Sequence, residues 1–187
     1  TAALNGQADW AVSPKLDMTL KGERFELRRE PELLAEIAPD LRLQVVPGQI
    51  DLTGTIRVPM ARLNIKSLAT KAVPLSSDVT IVSADGSDRV QLSRTMASWA
   101  INADVSVLLG DDVFFHGYGV NGRLMGGLRL RQQGKKGLEA NGEVELDKDS
   151  RYDAYGQRLL IRRGRLIFAG NLTQPGLDVE AVREIDA

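Results

Sequence analysis

The sequence predicts an all-β fold, and three observations carry that expectation. Apolar residues recur at every second place through most of the chain, most plainly in Ile50, Leu52, Gly54, Ile56 and Val58 and in Trp99, Ile101, Ala103, Val105, Val107 and Leu109. Such a period of two describes strands with one dry and one wet face. Glycines such as Gly142, Gly156, Gly164, Gly170 and Gly176 punctuate the runs where turns and bends are expected. Helical signal is confined to one short stretch, residues 31–37.

Taken in order, Leu4, Gly6, Ala8 and Trp10 alternate until Ser13-Pro14 breaks the run, and Leu16, Met18 and Leu20 form the next, ending at Gly22. Phe25 and Leu27 give a shorter third strand. Pro31 and Glu32 suit a first helical turn, and Leu33, Leu34 and Ile37 share a helical face, so 31–37 is expected to be a short helix ended by Pro39. Leu41, Leu43 and Val45 lead to the turn signal Pro47-Gly48. After Ile50–Val58, Pro59 interrupts and Leu63 and Ile65 continue. Ser67 to Asp78 reads as a loop, Val79 and Ile81 as a short strand and Ala84-Asp85-Gly86 as a turn; residues 87–96 are ambiguous.

The run from Trp99 to Leu109 is the longest, and Gly110-Asp111-Asp112 is expected to turn the chain. Val113 to Tyr118 is apolar on both faces and leaves its inner side open. Val120, Gly122, Leu124, Gly126, Leu128 and Leu130 alternate again, and Gly134-Lys135-Lys136-Gly137 reads as a hairpin loop. Leu138, Ala140, Val144 and Leu146, then Leu159 and Ile161, Leu166 and Phe168, and Leu177, Val179 and Ala181 complete the ladder. About a dozen strands at about 4.8 Å each would make a sheet roughly 50–60 Å wide. The opening residues already alternate, so the chain is expected to begin inside a sheet. Residues 1–187 thus read as a single elongated β domain that is a fragment of a longer protein.

Bulk properties exclude several functions. With 24 basic and 25 acidic residues, no charge imbalance points to nucleic acid or an anionic membrane surface. Aromatic residues make up 5%, too few for base-stacking platforms. The absence of cysteine removes disulfides and thiolate metal sites, and no apolar run reaches the roughly 18 residues of a spanning helix.

Several motifs tempt and fail. Gly117, Gly119 and Gly122 fit the dinucleotide-binding glycine spacing, but the residues after them keep a period of two where that site needs a helix. Asp147, Asp149 and Asp153 lack the third ligand and the glycine of a calcium loop, since Arg151 and Tyr152 stand there. They read as a solvated hairpin loop. Asn171-Leu172-Thr173 is a glycosylation sequon, and His116, the only histidine, has neither a nucleophile elbow nor a base partner in the sequence. No catalytic residue, metal ligand or cofactor is nominated. Arg158, Arg162, Arg163 and Arg165 read first as the wet face of strands, and alternatively as phosphate contacts at a groove rim.

One resemblance is specific. Tyr155-Gly156-Gln157, Leu159, Ile161, Arg163-Gly164, Leu166, Phe168-Ala169-Gly170, Pro175, Leu177, Val179-Glu180-Ala181 and Arg183 form a long ordered string. With Val113-Phe114, Tyr118-Gly119-Val120, Arg123-Leu124 and Gly126, it resembles the C-terminal domain of the TamB family, among the AsmA-like, bridge-like lipid-transfer proteins. The match covers roughly residues 105–187.

That resemblance implies a long sheet folded into an open trough, a β-taco, with an apolar concave face and a polar convex one. It implies a periplasmic location in a parent protein anchored in the bacterial inner membrane, and TamA, an outer-membrane barrel, as partner. It further implies work in the translocation and assembly module. There an apolar groove would carry phospholipid acyl chains towards the outer membrane, or help assemble proteins such as autotransporters into it. No enzyme activity, cofactor or nucleic acid enters this reading. The groove residues it suggests are Ile101, Val105, Val107, Leu124, Leu128, Leu130, Val144, Leu146, Leu159, Ile161, Leu166 and Phe168. Burial gains about 0.8 kcal/mol per methylene, roughly 13 for sixteen carbons, so a conduit should be a shallow lane without deep local minima. A strand client would use exposed sheet edges instead.

Alternation alone also fits a closed scaffold domain, which the resemblance would make one that docks on the barrel and receives strands by edge pairing. It fits an outer-membrane barrel too, which the missing aromatic girdles disfavour. A β-solenoid enzyme would need paired carboxylates, and none stands out.

Overall fold

The computed structural model describes residues 2–9, 15–65, 99–154 and 156–183. Among these residues, eleven strands lie in one sheet. They are β1 (Ala2–Asp9), β2 (Lys15–Gly22), β3 (Phe25–Arg29), β4 (Leu33–Val46), β5 (Gln49–Ile65), β6 (Ala100–Gly117), β7 (Val120–Gln132), β8 (Glu139–Leu146), β9 (Arg151–Ala154), β10 (Gln157–Asn171) and β11 (Gly176–Val182). The main path runs β1-β2-β4-β5-β6-β7-β8-β10-β11, with β3 against β4 and β9 bridging β7 and β10. Every pairing is antiparallel except β5 with β6, which run the same way from Gln49↔Ala100 to Ile65↔Gly117. The fold class is all-β, and no helix occurs among the described residues. The expected break at Ser13-Pro14, the loop, strand and turn between 67 and 86, and residues 87–96 lie outside the described residues.

The expected helix at 31–37 is corrected: Leu33 opens the 14-residue strand β4. A seven-residue helix gains too few hydrogen bonds to offset its nucleation. The same residues also carry a period-two reading, and both sides offer a strand. Leu27 pairs Ala35 on one side and Ala61 pairs it on the other. Only residues 30–32 turn, closed by the Glu32 N–H donating to Arg29 O at 2.9 Å.

The expected turn at Gly110-Asp111-Asp112 is also corrected, because β6 passes through it. Its register against β5 steps from Val58↔Leu109 to Met60↔Asp112, so the extra residue is absorbed as a bulge. Pro39 and Pro59 sit beside such irregularities. Pro39 lies between the last β3 partner of β4, Ile37, and the first β2 partner, Asp40, so its missing N–H interrupts no ladder on that side.

The expected turn at Pro47-Gly48 is present, and a second turn, at Tyr118-Gly119, falls where the sequence predicts only strand. Pro47-Gly48 joins β4 to β5 with φ 81° at Gly48. Tyr118-Gly119 joins β6 to β7 with φ 53° and 83°, the positive pair of a two-residue hairpin. The glycine spacing 117, 119, 122 is therefore a hairpin and its strands, with no helix to receive a phosphate.

Register carries the apolar alternation from strand to strand. One row reads Leu4, Leu20, Leu41, Gly54, Val105, Leu130, Ala140 and Gly170, and the next Pro39, Ile56, Val107, Leu128, Gly142 and Phe168. The best-covered part of this face is small: Ala35, Ala61 and Val113, with Leu33, Val58, Leu109 and Leu124 packed around them.

The opposite face is charged. Arg42 donates to Asp17 at 3.0 and 2.6 Å, Arg129 to Asp104 at 2.6 and 2.7 Å, and Arg165 to Asp178 at 2.6 Å. Arg163 reaches Asp178 and Glu180, and Arg62 holds Asp112 while lying 4.7 Å from the Phe114 ring centre. These cross-strand pairs tie neighbouring strands together on the wet side.

Candidate apolar groove

On the apolar face, the strands from β6 to β11 border a groove of about 410 Å³. Leu124 of β7 faces Leu146 of β8, Val144 faces Leu166 of β10, and Leu166 faces Leu177 of β11. Period-two patterning and the ladder together place these side chains on one face. The bulge between Ile161 and Arg163 shifts the phase of β10, so that odd-numbered Leu159 and Ile161 and even-numbered Gly164, Leu166 and Phe168 occupy the same side. Without that extra residue, one of the two sets would turn to the charged face.

All twelve residues suggested for the groove share this face by register. Leu124, Val144, Leu146, Ile161 and Leu166 line the cavity itself. Ile101, Val105, Val107, Leu128, Leu130, Leu159 and Phe168 lie along the same rows outside it. Sequence reasoning left out Phe115, Val120, Tyr152, Leu177, Val179 and Ala181, which also line it. The alternation of 177, 179 and 181 was a usable signal for the last three. Tyr152 gave none, because its place depends on β9 entering between β7 and β10, where Val120↔Tyr152 and Leu159↔Tyr152 bring it onto the groove face.

The stretch 113–118 has a resolved inner side: Val113 is 1% exposed and Phe115 lines the groove, while Phe114 stacks with Arg62 outside. His116 is exposed on that outer side. Coverage of the apolar face is uneven. Ile161 is 3% exposed, whereas Leu177 is 70% and Val179 52%. Large apolar side chains on a sheet face are normally covered by a second layer, and among the described residues a single sheet is present.

The charged groups are spent on each other. Donation from Arg42, and then from Gln44, holds the Asp17 carboxyl down at about 2. Arg129 lowers Asp104, Arg123 lowers Asp147, and Arg165 lowers Asp178, in each case chiefly through a side-chain hydrogen bond. The three aspartates that tempt as a calcium loop are engaged or apart: Asp147 accepts from Arg123 and from the Lys148 N–H, and Asp153 accepts from Arg158. Among the described residues no cluster of three or more acidic or histidine side chains could hold a metal. Of the basic run, Arg158, Arg163 and Arg165 are paired with carboxylates on the wet face, and Arg162 is the bulge residue.

An extended, mostly antiparallel sheet with an apolar face and an ion-paired face defines a class of protein that offers a hydrophobic surface. Comparison with known proteins places it more closely. The whole chain, residues 1–187, matches the TamB C-terminal domain, and the chain belongs to that family. It is 31% identical, over 96% of its length, to the translocation and assembly module subunit TamB of Haemophilus influenzae, of which it spans 14%.

Proposed function

We propose that the chain serves in the translocation and assembly module of a bacterial envelope. In this reading its apolar face carries phospholipid acyl chains through the periplasm towards the outer membrane. The parent protein is anchored in the inner membrane, docks on the barrel TamA and catalyses no reaction. The observation that supports this is the apolar face, only partly covered, that runs across the strands and deepens into the groove between Phe115 and Val179. Side chains there are aliphatic with few aromatics, so an alkyl chain gains burial at every step and meets no strong local trap.

A second reading concerns assembly of autotransporter-type clients. It rests on β11, whose outer edge has no strand partner among the described residues. An unpaired edge can receive an incoming strand through main-chain hydrogen bonds.

The test places a photo-crosslinking side chain at Val179, and separately at Glu180, in the parent protein in cells. Residue 179 stands on the groove face and 180 on the ion-paired face. Phospholipid captured at 179 and not at 180 is the expected result. Protein alone at 179, or lipid equally at both, would sink the lipid reading, and protein capture there would favour strand addition.

A further inference from the structure

The groove's chemistry separates the two clients. The backbone beneath it is engaged in the ladders of β7, β8, β10 and β11. Its lining is otherwise aliphatic or aromatic apart from Arg165, whose guanidinium is held by Asp178 and Glu143, and the Tyr152 hydroxyl. A polypeptide laid on this face would bring an N–H and a C=O per residue with almost nothing to pair them. Each unpaired group costs about 1–3 kcal/mol once buried. An alkyl chain brings none.

The second observation is Gly164. On the same face, Gly126, Gly142 and Gly170 have φ of 103°, 134° and 115°, values that favour glycine on backbone grounds alone. Gly164 has no such φ, so its backbone would accept a side chain. What its missing side chain leaves is space for a neighbour. A Cβ there would stand 2.9 Å from Leu146 Cδ1 and 3.2 Å from Ile161 Cγ2. Leu146 and Ile161 both line the groove. The Leu146 side chain therefore packs down onto Gly164, and any side chain at 164 would lift it into the cavity.

We propose that Gly164 sets the depth of the groove: by letting Leu146 lie flat it leaves room for a single unbranched alkyl chain. This rests on the acyl-carrying reading above. At 410 Å³ the cavity is at the small end of the roughly 300–1,000 Å³ range of ligand sites, in keeping with one tail rather than two side by side.

The experiment titrates the chain with cis-parinaric acid, whose fluorescence rises in an apolar site, and uses phytanic acid as a branched competitor. Wild type, Gly164→Val, Leu146→Ala and the double variant are compared, with thermal unfolding recorded for each. Gly164→Val is expected to weaken parinaric acid about tenfold, equivalent to losing the burial of roughly two methylenes. The double variant should recover most of that loss, and Leu146→Ala alone should let phytanic acid compete where wild type does not. Unchanged affinity in folded Gly164→Val, or no recovery in the double variant, overturns the depth role. Should Gly164→Val fail to fold, Leu146→Ala decides, and its exclusion of phytanic acid overturns the proposal. Absence of parinaric acid binding to the wild type would instead overturn the acyl-carrying reading together with the inference built on it.

Discussion

The two faces of this sheet are held by different physics. On the wet face, arginines and aspartates on neighbouring strands pair across the ladder, as Arg42 does with Asp17 and Arg129 with Asp104. Those pairs are largely solvent-exposed, and each adds little. On the dry face, Ala35, Ala61, Val105, Val113, Ala140 and Ile161 are the buried hydrophobics among the described residues, while buried Ala38 pairs Arg57 on the other side. The difference teaches that the apolar face does not behave as a uniform core. Covered patches, one of them around Ala35, Ala61 and Val113 and another at Ile161, hold the sheet, and from them the same face runs out to Leu177 and Val179, whose side chains are largely exposed.

Substitutions along the dry face test this contrast most strongly. Glutamate at Ile161, 3% exposed, buries an unpaired charge, and Ile161→Glu is expected to destabilise the chain by about 3–5 kcal/mol in urea unfolding. A loss under 1 kcal/mol would mean that this covered position does not anchor the sheet. This position is therefore a poor probe of transport, since the variant would fail by unfolding. At Val179, 52% exposed, the same substitution should leave stability within about 0.5 kcal/mol while abolishing acyl-probe binding. Retained binding would place the functional surface elsewhere.

The smallest effect belongs to the wet face. The Asp17 carboxyl is depressed to about 2 by Arg42 and Gln44. A carboxyl whose folded pKa lies below its unfolded value near 3.9 adds stability that is complete above that unfolded value. It is lost as pH falls through the folded one. The wild type should therefore show a slightly steeper loss of stability between pH 4 and about 2 than Asp17→Asn does, with the two curves parallel above pH 5. Indistinguishable acid limbs would mean that the pair contributes nothing in solution.

Much of this was legible in the sequence because a period of two is local information. Alternation located most of the strands, though not β9, which falls where a solvated hairpin loop was expected, and all twelve suggested groove residues share a face. What stayed hidden depends on distant partners. Leu33 to Ile37 reads as a helix from its own residues, and only the neighbouring strands, through Leu27↔Ala35 and Ala35↔Ala61, make it extended. Gly110-Asp111-Asp112 has the composition of a turn, yet with β5 alongside it becomes a bulge inside an 18-residue strand. The parallel pairing of β5 and β6 left no local trace, because strand direction depends on which end the chain returns to. Tyr152 was missed for a similar reason, as the intercalation of β9 is a property of the assembled sheet.

The β5–β6 seam has a consequence for how such a protein can change length. Strands stack at about 4.8 Å, so each antiparallel hairpin gained or lost alters reach by about 10 Å while the chain re-enters at the same end and the dry side stays dry. A single strand does not have that freedom, because the chain then leaves from the opposite end and must travel back along the whole strand before pairing can resume. β5 and β6 stand in that relation, with Ile65 leaving beside Gly117 and Ala100 entering beside Gln49. Span added by hairpins thus comes in pairs, and the parallel seam is the place among the described residues where strand direction repeats while the apolar row continues from Gly54 to Val105.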